Sequence, residues 1–285
     1  MSRNRPNPAG NVRGLQRWIG EWAAGSSESI ARIQHRIALV AIAAMLDNAC
    51  DAQGEPLFAV KGGSALELRY ESAARASRDI DLAYRGVLSD VHTTLTACVE
   101  SGWSGFHGRV LDPEPLTIPW ANVSGQRISV KLTYLGKPFT TVPLEVVATN
   151  TVEVELVTSA RLDAVGLKTP EAVPCLSLRY QIAEKLHACT DPLDGERIND
   201  RVSDLMDLTL IEDLSGDLNL VRVREACVDV FAHRATHPWP PVVTVKPTWP
   251  ELWTNLVNDS DFYMADVNEV VARGNNLVGR INKAT

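Results

Sequence analysis

The spacing of apolar side chains changes rhythm along this chain. Between Ser29 and Ala49 they recur every three or four residues, at Ile30, Ile33, Ile37 and Val40, with no intervening proline, which predicts a long helix. Trp18 and Trp22, four apart, predict a shorter helix before it. Leu57 to Val60 is a short apolar run that ends in Gly62-Gly63, and Ser64 to Tyr70 follows with helix formers behind a serine able to cap them. That pattern predicts strand, glycine turn, helix. Asp79 to Tyr84 reads as the next strand, Val87 to Ser101 as a helix, and Gln126 to Tyr134 and Val142 to Ala148 as two strands joined across the Leu135-Gly136 turn. After Pro174 the period is helical, over Leu176 to Cys189, Asn199 to Leu214, Val221 to His233, Glu251 to Leu256 and Tyr263 to Ile281. The pattern therefore predicts an α+β fold, with a domain over residues 1–165 that carries the mixed sheet and N-terminal helices. A helical domain is expected over 166–285.

Composition narrows the function classes. The 285 residues are 45% hydrophobic and 22% charged, ordinary for a globular chain and too apolar for a disordered one. The longest apolar run, Ile37 to Leu46, covers about half of the roughly 20 residues a membrane helix needs. The N-terminal residues hold no apolar core of a secretory signal, so the expectation is a cytoplasmic protein without a membrane segment. Five scattered cysteines make no C-x-x-C pair, which argues for buried thiols rather than disulfides or a zinc ribbon. His233 and His237 lack the partners of a recognised metal motif. A formal charge of -7 restricts any nucleic-acid contact to a local patch, of which Arg69, Arg75, Arg78 and Arg85 form the densest in the first half.

Chemistry concentrates at Asp79-Ile80-Asp81. Alternate residues of a strand share one face, so the two carboxylates can stand together and share divalent ions. Upstream, Gly62-Gly63-Ser64 opens a helix, where backbone N–H groups and the helix dipole favour an anion and glycine admits close approach. A phosphate cradle followed by a carboxylate pair is what phosphoryl transfer requires. Elsewhere spacing favours plainer roles. Lys185 lies beside the row Leu178, Ile182, Leu186 and reads as a lysine reaching to solvent, and Asp204 and Asp207 read as a surface network with Arg197 and Arg201.

The sequences K-G-G-S-A-L and S-R-D-I-D-L resemble the signature of the polymerase-beta-like nucleotidyltransferase superfamily. The surrounding residues resemble the AbiEii toxins of type IV toxin–antitoxin systems. Leu144-Glu145-Val146 is similar to the family's strand bearing a third acid, and Glu184-Lys185-Leu186-His187-Ala188 with Ser203-Asp204-Leu205-Met206-Asp207-Leu208 to its C-terminal elements. Lys131 stands where some relatives of the superfamily place an acid, which leaves Glu145 as the third carboxylate. The resemblance implies a metal-dependent nucleotidyltransferase. In it Asp79 and Asp81 bind two Mg2+ ions, and Lys61, Gly62, Gly63, Ser64, Ser77 and Lys185 contact the NTP. Glu145, Asp204 and Asp207 complete the catalytic set. It further implies transfer of NMP to an acceptor hydroxyl, with the 3′ end of tRNA expected, a consequent block of translation, and a cognate antitoxin. The alternatives are transfer to a protein or small molecule, and a nucleotide-binding regulatory module without turnover.

Overall fold

The computed structural model describes residues 4–116, 125–149, 153–193, 197–260 and 262–285, which form two compact units meeting in sequence at Leu176 and Ser177. In the first unit, helices α1 (Val12–Ala24) and α2 (Ile30–Leu46) precede strand β1 (Phe58–Val60), helix α3 (Gly62–Tyr70), strand β2 (Ile80–Tyr84) and helix α4 (Val91–Ser101). Strands β3 (Phe106–Val110), β4 (Glu114–Leu116), β5 (Gly125–Tyr134), β6 (Lys137–Ala148), β7 (Val154–Val157) and β8 (Val173–Leu176) follow.

Helices α1 and α2 each start where a short polar side chain meets the first turn: Asn11 accepts from the Gly14 N–H and Ser29 from the Arg32 N–H. Helix α2 is apolar on most of its circumference and is correspondingly buried along nearly its whole length, with Ile33, Ile37, Val40 and Ile42 inaccessible to solvent. Burial contributes about 1.5–3 kcal/mol for each such side chain, so α2 is the main hydrophobic support of the unit. Arg36, the buried cation of this helix, pairs with Glu28 and lies 3.5 Å from Glu67 of α3, which ties the helix behind the glycine turn to the core.

The described strands make one mixed sheet in the order β3-β5-β6-β2-β1-β8-β7, with β4 paired to β5. The central pair β2–β6 is parallel, and β5–β6 is an antiparallel hairpin. Its turn, Leu135-Gly136, has positive φ at both residues (47° and 73°), the geometry that matches strand twist in two-residue hairpins. Strand β8 pairs in parallel with β1, which makes residues 173–176 part of this sheet. No strand was expected at β3, β4, β7 or β8. These elements have three to five residues, and β4 and β8 contain proline, so too little alternation exists for a period to show.

The second unit is built from α5 (Leu178–Thr190), α6 (Ser203–Leu214), α7 (Leu220–Arg234), α8 (Trp249–Ser260) and α9 (Val267–Lys283). Helix α5 packs on α6 and α7, and α9 on α6, α7 and α8. Two tryptophans of α8 work as anchors. Buried Trp249 donates its indole N–H to the Asn199 carbonyl at 2.7 Å, and buried Trp253 donates to Met264 at 3.2 Å.

Candidate active site

The order strand, glycine turn, helix, strand brings the first set of residues together within the N-terminal unit. Helix α3 begins at Gly62 with Lys61 as its cap residue, and the Lys61 side chain makes no capping hydrogen bond. Ser64, expected to cap this helix, instead sits inside the first turn, fully buried, and its Oγ donates to the Asp79 carbonyl at 3.0 Å. Ser77 Oγ donates to the same carbonyl at 2.9 Å. Two serines thus clamp the backbone of Asp79, which stands in the bend before β2 rather than within the strand.

Close approach requires glycine at position 62. Gly62 has φ +58°, and a Cβ there would lie 2.9 Å from Cγ of Asp81. The Asp81 carboxylate therefore rests directly against the start of α3, where helix N–H groups lack intrahelical acceptors. At Gly63 a Cβ would meet Ser77 Oγ at 3.4 Å and the Arg75 guanidinium at 3.6 Å. Arg75 and Ser77 consequently lie over the turn.

Sheet register supplies the rest. Asp81 of β2 is paired with Glu145 of β6, Glu145 with Arg127 of β5, and Arg127 with Glu114 of β4. Registered neighbours project from the same side of a sheet, so the row alternates as carboxylate, carboxylate, guanidinium, carboxylate. Arg127 forms a close ion pair with Glu145. Asp79 joins this row electrostatically: its carboxyl is held above the usual carboxylate range, first by partial burial and then by the Glu145 charge, against opposing pulls from Arg127 and Arg78. Lys131 is exposed farther along β5, with Thr141 as its β6 partner. Sequence reasoning missed Arg127. The signal was available by counting back from the Leu135-Gly136 turn, once the one-residue irregularity near Leu132 and Thr133 is known.

The arginine patch divides. Arg69 is tied to Glu155 at 2.9 Å and to the Leu176 carbonyl, and Arg85 to Asp51 at 2.8 Å, whereas Arg75 and Arg78 stand near the turn and Asp79.

In the second unit, Lys185 of α5 meets Asp204 and Asp207 of α6. Its ammonium donates to Asp204 Oδ1 at 3.0 Å and Asp207 Oδ2 at 2.6 Å, and Arg201 Nε reaches the other Asp204 oxygen at 2.8 Å. Lys185 is 5% exposed and the two aspartates at most 1%, so these residues are neither a solvent-reaching lysine nor a surface network. Helical spacing had placed Asp204 and Asp207 on one face correctly, and burial of that face reverses the plain reading.

The model of the "Nucleotidyl transferase AbiEii toxin, Type IV TA system" family matches residues 44–273. No curated protein matches the sequence. Among solved structures the fold is similar to MenT4, a nucleotidyltransferase toxin from Mycobacterium tuberculosis, at 16% identity and a TM-score of 0.55, covering 95% of this chain and 90% of that one. JHP933 from Helicobacter pylori aligns at 17% identity and a TM-score of 0.45, over 87% of this chain and 91% of that chain.

Proposed function

The chain belongs to the AbiEii nucleotidyl transferase toxin family of type IV toxin–antitoxin systems, an enzyme class whose toxins imply an antitoxin partner, and from that membership we propose that it moves NMP from an NTP to the 3′ end of tRNA. The observation that carries the reading is the crowding of Asp79, Asp81 and Glu145 beside the start of α3. In the proposed reaction the acceptor hydroxyl oxygen attacks the α-phosphorus, the bond from that phosphorus to the bridging oxygen breaks, and pyrophosphate leaves. Glu145 takes the hydroxyl proton.

The donor chemistry fits Mg2+: Asp79 and Asp81 offer hard carboxylate oxygens, and repulsion within the carboxylate group is what a divalent cation relieves. When bound, Mg2+ supplies charge neutralisation for the triphosphate. The chain's own groups supply the rest. Gly62, Gly63 and the first N–H groups of α3 hold phosphate oxygens, Lys61 and Arg75 add positive charge there, and Ser64 and Ser77 keep Asp79 in place. By the family resemblance Lys185 serves the nucleotide phosphates; within the helical unit its ammonium is held by Asp204 and Asp207. Arg75 and Arg78 are the candidates for contact with the acceptor's backbone.

A second reading has its own observation. With a formal charge of -7 and both Arg69 and Arg85 committed to ion pairs, the arginine patch offers an RNA backbone less charge than its sequence spacing suggests, which favours a protein or small-molecule acceptor. One experiment separates them. Purified protein is incubated with Mg2+, each labelled NTP in turn, and total tRNA. Label at an RNA 3′ end, lost in Asp79→Asn, is the expected result. Label only on protein or a small molecule favours the second reading, and no incorporation with any NTP removes both.

A further inference from the structure

A second polar cluster lies in the helical unit, apart from the Lys185 ion network. His187 and Asp191, four residues apart across the end of α5, meet Thr236 and His237 just beyond the end of α7. Thr236 Oγ is the hub, 3.1 Å from His187 Nε2, 3.1 Å from Asp191 Oδ2 and 3.0 Å from His237 Nδ1. On the far side of its ring, His237 Nε2 lies 2.8 Å from Thr190 Oγ, which is itself 2.6 Å from the Leu186 carbonyl. His187 and Asp191 are 2% and 3% exposed, and the Phe231 ring closes one side, 4.9 Å from both imidazoles.

A proton count shows what is missing. Five contacts need a proton: Thr190 to Leu186, Thr190 to His237, His237 to Thr236, Thr236 to Asp191 and Thr236 to His187. Two hydroxyls and two neutral imidazoles supply four. Any arrangement of the neutral groups therefore sets two acceptors face to face, a costly defect at a buried site. One more positive centre resolves it.

We infer that His187, Asp191 and His237 bind a divalent transition-metal ion of the zinc class at the position now bridged by the Thr236 hydroxyl. Two imidazole nitrogens and one carboxylate oxygen are a zinc-type donor set, and one such atom from each residue lies within 4.8 Å of the others. Zinc bonds of about 2.1 Å place tetrahedral donors about 3.4 Å apart, so these side chains close by roughly 1 Å on binding. With the ion on Nδ1, His237 donates from Nε2 to Thr190, and Thr190 keeps its proton for Leu186. Arg234, 3.4 Å from His187 Nδ1, turns toward Glu184, 3.5 Å away, when Nδ1 carries the ring proton. The ion then fastens the end of α5 to the segment after α7. His233, exposed on α7, takes no part, so the sequence spacing His233 to His237 misdirects, while the informative pair is His187 and Asp191.

The test is zinc binding by the full chain in excess Mg2+, read as bound zinc per chain after dialysis and as the visible spectrum of the Co2+ form. We expect one ion per chain, retained in the Asp79→Asn/Asp81→Asn double variant and in Thr236→Val. Affinity should fall about 100-fold or more in His237→Gln and in Asp191→Asn, since loss of a direct ligand exceeds the 10–100-fold cost of losing an outer partner. No stoichiometric zinc in the intact chain overturns the inference. So does binding that survives His237→Gln but is lost with Asp79 and Asp81. Nitrogen-15 shifts showing His237 as an imidazolium in the metal-free protein near neutral pH also overturn it, because a proton then fills the deficit. If the ligand variants fail to fold, the cobalt spectrum of the double carboxylate variant decides: imidazole-coordinated bands support the site, and their absence refutes it.

Discussion

The two charged clusters follow opposite electrostatic rules. In the first unit, half-buried carboxylates crowd together with Arg127 as the cation paired to Glu145, and the result is a carboxyl, Asp79, held above its usual range. In the second, Lys185 and Arg201 answer Asp204 and Asp207 at hydrogen-bond distance, with the lysine and both aspartates withdrawn from water. The first arrangement stores repulsion that a bound cation can relieve. The second is self-sufficient, and its members are costly to remove singly because each leaves a buried partner uncompensated. Neutralising a charge should therefore stabilise one unit and destabilise the other.

The largest effect is expected from Lys185→Met, which strands Asp204 and Asp207 and should cost about 3–5 kcal/mol in chemical denaturation followed by circular dichroism. A loss below about 1 kcal/mol would mean the ion cluster does not hold the helical unit together. Gly62→Ala comes next. Its left-handed backbone and the abutting Asp81 carboxylate should together cost at least about 1–2 kcal/mol, with transfer activity falling further than stability because Asp81 must shift.

In the metal-free chain, acid should weaken the helical unit through His187, whose ring burial and the Arg234 charge push down to about 3. The unfolded chain binds that proton first, so stability declines as pH falls from the ordinary imidazole value of 6.5 toward about 3 and is fully retained above it. Replacing His187 with Gln should flatten this part of the pH–stability curve; an unchanged slope would place the acid sensitivity elsewhere. The smallest effect has the opposite sign. Asp79 has a raised carboxyl pKa, so its ionised form opposes folding at neutral pH, and the penalty disappears as pH falls below its unfolded value. Asp79→Asn should raise stability at neutral pH by less than about 1 kcal/mol while abolishing transfer, and the gain should vanish in acid. A destabilised Asp79→Asn would break the contrast between the two clusters.

Much of this molecule was legible from spacing. The apolar period of Ile30, Ile33, Ile37 and Val40 defined α2, the alternation of Ile128, Val130 and Leu132 defined β5, and the order of the glycine turn and the aspartate pair located the carboxylates, because these are local properties of helices and strands. Tertiary structure decided what those residues meet. Ser64 turned from a cap into a clamp on Asp79 because α3 starts two residues earlier, with Asp81 seated against Gly62. Arg127 entered through sheet register, which depends on a pairing 18 residues away in sequence. Lys185, Asp204 and Asp207 changed from surface charges to a buried network because burial of a helix face depends on which helices pack over it, and His187, Asp191 and His237 were joined by a chain fold-back spanning α6 and α7. A sequence states which side chains share a face; which faces lose water is set by long-range packing, and that loss determines whether a charge is a solvated group or a chemical one.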